Sequence, residues 1–354
     1  MSTTDNLSRP EGKGPRAVIF GCEGLRLTPW ERSFFAEADP LGFILFQRNC
    51  DNPAQIEALT SEMRALLGRA DAPILIDQEG GRVQRLQPPR WRAAPPAALF
   101  GALWAQDPAA AETATRINAR LLAEELRPLG IDVDCLPVLD LPAEGAHDVI
   151  GDRAYGSDPA CVAALGAACC AGLKEGGVLP VLKHMPGHGR CRVDSHAALP
   201  LVEASAARLA ASDLLPFQAL KDEPIAMTAH AIYSDLDAER PATTSPKVIS
   251  EVLRRQIGFQ GLLLSDDLSM KALRGDLKSR AAEALAAGCD VALHCNGLGP
   301  EMAAVAAGSG PMTPAALARF EAARAMLPAQ VTAVETAALT ARLDELLARR
   351  ARAC

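Results

Sequence analysis

The segment KHMPGHGRCRVDSH, residues 183–196, gathers three of the chain's six histidines with a lysine, an aspartate and two arginines. Two chemistries use such a set. His184, His188, His196 and Asp194 are ligand types for a transition metal. The spacing HMPGH sets two histidines four apart, but Pro186 and Gly187 between them forbid the helical turn on which such a pair usually chelates. Alternatively, the segment supplies a proton donor and grips a polar ligand. In an extended Asp194-Ser195-His196, the carboxylate and the imidazole point to the same side. Asp194 would then hold one ring nitrogen and raise the basicity of the other, which makes a general acid/base. A surface ion pair would use the same triplet.

A second stretch, LLLSDDLSM from Leu262, ends in two adjacent carboxylates. Neighbouring strand residues face opposite ways, so one of Asp266 and Asp267 enters a site while the other caps the following turn. The inward one could attack a sugar's anomeric carbon; two solvent-facing caps would look the same in sequence. A third, DQEGGRVQRL from Asp77, combines carboxylates and arginines around a glycine pair. Asp77 and Arg85 are types that hold sugar hydroxyls by charge-assisted hydrogen bonds. Arg153 in IGDRAYGSDP, with Lys183 and His184, adds donors. Aromatic residues make up 4% of the chain, too few for long polysaccharide-stacking platforms, and a pocket for one terminal sugar fits better.

These groups need a frame. Eight short, mostly unalternating apolar runs begin at Ala17, Gly42, Pro73, Asp132, Leu179, Ala226, Leu262 and Asp290. Such runs suit parallel strands buried on both faces. Helical stretches separate most of them. One follows Asp51 or Asn52 as N-cap with Pro53 next. Another, starting at Asp107, stops at Gly130. Others cover 158–177, 203–223 and 279–289, with a final pair over roughly 313–352; the link between the first two strands is short and less clearly helical. Eight β/α units in one chain predict an α/β fold, a single-domain (β/α)8 barrel over 17–354 behind a tail of residues 1–16. A doubly wound open sheet is the alternative, although no GxGxxG follows the first strand. The barrel collects the polar strand ends at one rim. There lie Gln47–Asn49, Asp77–Glu79, Asp140, Lys183, His184, His230, Asp266, Asp267, His294 and Asn296.

Composition narrows the classes. The chain has 354 residues, 49% hydrophobic, with a formal net charge of -7 and no dense basic run, which argues against nucleic acid as a partner. No leader-like h-region and no apolar run near the roughly 20 residues of a membrane span is visible. Ten cysteines without a CxxC pair suit buried thiols in a reducing cytoplasm rather than a disulfide scaffold.

The blocks ILIDQEGGRVQRL, IGDRAYGSDP, KHMPGHGRCRVDSH, AMTAHAIYSDLD and GLLLSDDLSM resemble the signature blocks of glycoside hydrolase family 3, in particular its bacterial β-N-acetylhexosaminidases of cell-wall recycling. The resemblance runs from about residue 17 to about 297. It implies retaining hydrolysis of terminal β-linked N-acetylglucosamine from peptidoglycan fragments, with Asp266 as nucleophile. His196 would be the proton donor/acceptor with Asp194 as its partner. Asp77, Arg85, Arg153, Lys183 and His184 would bind the sugar. It implies no metal or other cofactor, a small-molecule sugar as partner, and a monomer. The chain departs from the family pattern at Met185, often Phe, and at 190–193, where RCRV replaces a stretch opening Asp-Thr. A phosphorylase of the same family, a metal-dependent barrel hydrolase and a non-catalytic sugar-binding module are the competing readings.

Overall fold

The structure is a computed structural model that describes residues 14–349 except 194, 196 and 197. Eight parallel strands close on themselves in chain order: β1 (Arg16–Phe20), β2 (Pro40–Leu45), β3 (Ile74–Ile76), β4 (Val133–Asp134), β5 (Leu179–Met185), β6 (Ile225–Thr228), β7 (Leu262–Asp267) and β8 (Val291–His294), which pairs back to β1. This is the (β/α)8 barrel the eight runs predict. Strand residues alternate between two cores. Ala17, Ile19, Leu41, Ile44, Leu75, Val181, Leu264 and Leu293 fill the barrel. Val18, Phe20, Phe43, Ile74, Ile76, Leu182 and Leu263 face the surrounding helices. Burial on both sides explains why the runs lack polar alternation.

Helix Pro314–Ala325 sends Ala316, Phe320 and Ala323 into the inner core. Its Arg319 bonds Asp290 and its Arg324 bonds Asp132, residues that just precede β8 and β4. This helix therefore plugs the N-terminal end of the barrel and leaves the opposite end for a site.

Three expectations need correction. The β1–β2 link holds a true helix, Pro29–Ala38. Its signal is the capping box Thr28-x-x-Glu31: Glu31 N–H donates to Thr28 Oγ1, and Thr28 N–H donates to Glu31 Oε2. Glu31 Oε1 also accepts from Glu23 N–H at 2.8 Å, so this 1%-exposed carboxylate ties the loop after β1 to the helix. The helical stretch at 203–223 splits into Ala206–Ala210 and Leu215–Ala219. The break falls at Ser212 and Asp213, whose side chains turn to Arg190, and Pro216 starts the second piece. The fourth run forms a ladder only at Val133–Asp134, because Pro137 has no N–H to give; the chain continues beside β5 through separate backbone bonds such as Leu139 N–H to Lys183 O at 2.8 Å. Where the cap was ambiguous, Asn52 takes the role, accepting from Gln55 N–H.

Glu31→Ala should lower stability by about 2 kcal/mol, because it leaves two backbone N–H groups unpaired. The urea midpoint reads this, and an unchanged midpoint would remove Glu31 as the tie.

Candidate active site

At the C-terminal ends of the strands opens a cavity of about 510 Å³, within the roughly 300–1,000 Å³ of small-molecule pockets. Its lining includes Asp77, Arg85, Arg153, Lys183, His184 and Asp266. All the described residues expected to act on a sugar therefore meet in one place. Asp194 and His196, expected as the acid/base pair, lie outside the described residues; Ser195 between them is buried in the cavity wall.

The sugar-gripping residues are first of all bonded to one another. Lys183, 2% exposed on β5, puts its ammonium 2.9 Å from Asp77 Oδ1 and 2.6 Å from Glu79 Oε1. The other oxygen of Asp77 accepts from Arg85 Nη2 at 3.0 Å. Glu79 takes Arg153 bidentately, at 2.8 and 2.9 Å. The glycine pair lies in a hairpin, Gln78–Gly80 against Val83–Gln84, that returns Arg85 to Asp77. Burial alone would raise both carboxyls, but Lys183 with Arg85 holds Asp77, and Lys183 with Arg153 holds Glu79, below the usual range. Burial would lower Lys183, and Asp77 and Glu79 reverse that, so the ammonium stays charged. Glu79 is the key residue that spacing did not single out.

A second knot is Asp140, fully buried after β4. Its Oδ2 is 2.7 Å from His184 Nδ1, and its Oδ1 accepts the backbone N–H groups of His184 and His188 at 3.2 and 2.6 Å. Burial raises this carboxyl, but the two histidines bring it down to about 2. With Nδ1 engaged, His184 is left its Nε2 for the cavity. Gly187, at φ 131, and Gly189, where a Cβ would sit 2.1 Å from Leu141 O, let the chain turn tightly around Asp140.

The DD pair divides as the alternation requires. Asp267 accepts from Ser269 N–H, Cys295 N–H and Ser269 Oγ, so it caps the turn and ties β7 to β8. Asp266, 8% exposed, lines the cavity and accepts from Asp267 N–H at 2.7 Å. Burial raises its carboxyl; His230, His184, the Asp267 N–H and Lys183 outweigh this and keep it below the usual range. His230 adds to that pull only when protonated, and burial keeps it neutral near pH 7. Nearby, burial pushes the Asp134 carboxyl well up from its ordinary range.

Several rim residues expected from strand ends do not enter the cavity. His230 is sealed between Thr243 Oγ1 and Asp267 O. His294 packs edge-on against Phe20, and Asn296 bonds Glu301. Arg48 and Asn49 hold the carbonyl of Cys22. Among the described residues, no three His, Cys, Asp or Glu side chains gather as a metal site.

Two measurements test the electrostatics. Lys183→Met should cost about 3 kcal/mol or more, because it leaves two buried carboxylates without their shared cation. His188 is held at about 4, by burial first and His184 second, and His230 is also lowered by burial. Unfolded histidines titrate near 6.5, so the unfolded chain takes up protons first as pH falls below that value. Stability should decline from about pH 6.5 towards pH 4, with a shallower slope in His188→Asn; equal slopes would contradict the assignment.

Comparison with known proteins agrees with this fold. The family model described as the glycosyl hydrolase family 3 N terminal domain matches residues 31–317. The β-hexosaminidase of Bordetella avium is 40% identical over 294 residues, 81% of this chain and 83% of its own. That of Thiobacillus denitrificans is 44% identical over 274 residues, 75% and 74% of the two chains. Among solved structures, NagZ from Neisseria gonorrhoeae in complex with N-trifluoroacetyl-D-glucosamine superposes with a TM-score of 0.84 at 35% identity, covering 95% of this chain and 99% of the other.

Proposed function

This chain belongs to glycosyl hydrolase family 3, and from that premise we propose how its site works on a sugar. The enzyme is a β-N-acetylhexosaminidase. Its proposed substrate is a peptidoglycan fragment, N-acetylglucosamine joined β-1,4 to 1,6-anhydro-N-acetylmuramic acid, with or without peptide. The proposed unit is one catalytic domain over 17–354, working as a cytoplasmic monomer without metal or other cofactor. The nine described cysteines are all free thiols, which suits a reducing compartment. Among the described residues, no helix is long and apolar enough to cross a membrane.

The observation that carries the mechanism is Asp266. It is an ionised carboxylate at the end of β7, in a cavity lined by Lys183, Arg85 and Arg153. In the proposed first step an Asp266 oxygen attacks the anomeric carbon, and the glycosidic C–O bond breaks as His196 gives its proton to the leaving oxygen. In the second, water attacks the same carbon and passes its proton to His196, and the bond to Asp266 breaks. Asp194 orients His196 for both steps and stabilises the imidazolium that is present before the first and re-formed in the second. A histidine suits the shuttle because its ordinary pKa near 6.5 lies close to neutrality. Asp77, Arg85, Arg153, Lys183 and His184 hold the sugar. Because Asp77 and Glu79 already fix Lys183, Arg85 and Arg153, those donors are set before substrate arrives.

The test is nitrophenol release from 4-nitrophenyl N-acetyl-β-glucosaminide in phosphate-free buffer with a chelator. Turnover is expected, and Asp266→Ala should lower kcat by about 10³-fold or more. Turnover only after phosphate is added would favour a phosphorylase, and turnover only with a divalent metal a metal-dependent hydrolase. His196→Ala should spare the nitrophenyl substrate relative to sugars with poor leaving groups, and equal losses on both would contradict its role as acid.

A further inference from the structure

Among the described residues, His188 is the one histidine of the cavity wall whose ring has no hydrogen-bond partner. It is 4% exposed, and neither Nδ1 nor Nε2 has a hydrogen-bond partner among the described residues. An unpaired buried polar atom destabilises a fold, so two of them persist on one side chain only where something else meets them. The backbone around the ring is firmly set. His188 N–H donates to Asp140 Oδ1 at 2.6 Å, and its carbonyl accepts from Cys191 N–H at 3.1 Å. The ring lies 5.8 Å, centroid to centroid, from that of His184 and lines the same cavity as Arg153 and Asp266. By contrast, His184 is engaged with Asp140, and His230 is satisfied on both nitrogens.

We propose that His188 is a substrate-contacting residue whose unpaired ring hydrogen-bonds the terminal sugar, beside the residues already placed on it. This rests on the hexosaminidase reading and adds a contact to it. A neutral imidazole carries one donor and one acceptor on separate edges of the ring. Sugar hydroxyls and the acetamido group supply the matching acceptors and donors. Burial keeps the ring neutral at pH 7, which preserves that pairing and avoids a further positive charge beside Arg153. Metal ligation by this ring has no support among the described residues, because no second and third ligand stand with it.

The experiment compares wild type, His188→Ala and His188→Asn. The substrates are 4-nitrophenyl N-acetyl-β-glucosaminide and its analogues lacking the 3-, 4- or 6-hydroxyl or the acetyl group. His188→Ala should lower kcat/KM on the parent by about tenfold or more, the equivalent of one lost hydrogen bond. It should do so far less on the analogue that lacks the contacted group. His188→Asn, which keeps a donor and an acceptor, should recover part of the loss. No loss on the parent, or the same loss on every analogue, would overturn the contact. A measurement on the unaltered protein covers the outcome in which the variants do not fold. Saturating N-acetylglucosamine should shift the ¹⁵N resonances of one cavity imidazole, identified as His188 by its absence from either variant or, should neither fold, by selective labelling. Unmoved His188 resonances overturn the proposal. Wild type that fails to turn over the parent substrate would instead overturn the hexosaminidase reading itself.

Discussion

The mouth of this barrel is organised around one buried ammonium. Lys183 is almost fully enclosed, and an enclosed charge survives only with close partners. Asp77 and Glu79 supply them, and each carboxylate in turn fixes an arginine, Arg85 or Arg153. The members come from the end of β3, the hairpin after it, the loop near 153 and the end of β5, so only the closed barrel can assemble them. With Asp266 added, three cations face three carboxylates. Such a cluster contributes little net stability, since desolvation offsets most of the attraction. What it contributes is geometry: donors for a polar ligand and an ionised carboxylate at Asp266, held without dependence on the ligand.

Asp140 does for the backbone what Lys183 does for the side chains. One carboxylate gathers two N–H groups and an imidazole, and so shapes the turn from β5 into the segment that contains Ser195. Further along, Arg190 meets Asp213 through both of its carboxylate oxygens, and Tyr233 donates to Gly187 O. Arg190 stands where the family pattern has an acidic residue. The departure therefore has its own structural partner in the break between two short helices, and the entry to the loop stays anchored.

Much of this was legible in the sequence. The eight strands could be read because burial on both faces leaves long apolar runs, and the rim followed from the parallel barrel. Asp266 and Asp267 separated as alternation demands. What was not legible depended on contacts distant in sequence. Asp77 and Arg85 looked like groups free for a ligand, yet each has the other, and Asp77 has Lys183, more than 100 positions away. Glu79 and Asp140 read as ordinary strand-end acids until their partners were in place. His230 and His294 looked like rim residues because spacing cannot tell which strand-end side chains turn back into the wall. The helix after β1 read less clearly because it is short, ten residues, although its capping box was there to be read.

The central claim is that Asp266, held ionised among these cations, forms the covalent bond to the sugar. The most direct measurement is to incubate the enzyme with a fluorinated N-acetylglucosaminyl donor that forms the glycosyl-enzyme quickly and releases it slowly, then map the label by peptide mass spectrometry. A single adduct on Asp266, within the β7 strand end, is the predicted result. An adduct on another residue would contradict the account, as would steady turnover of the donor with no adduct at all.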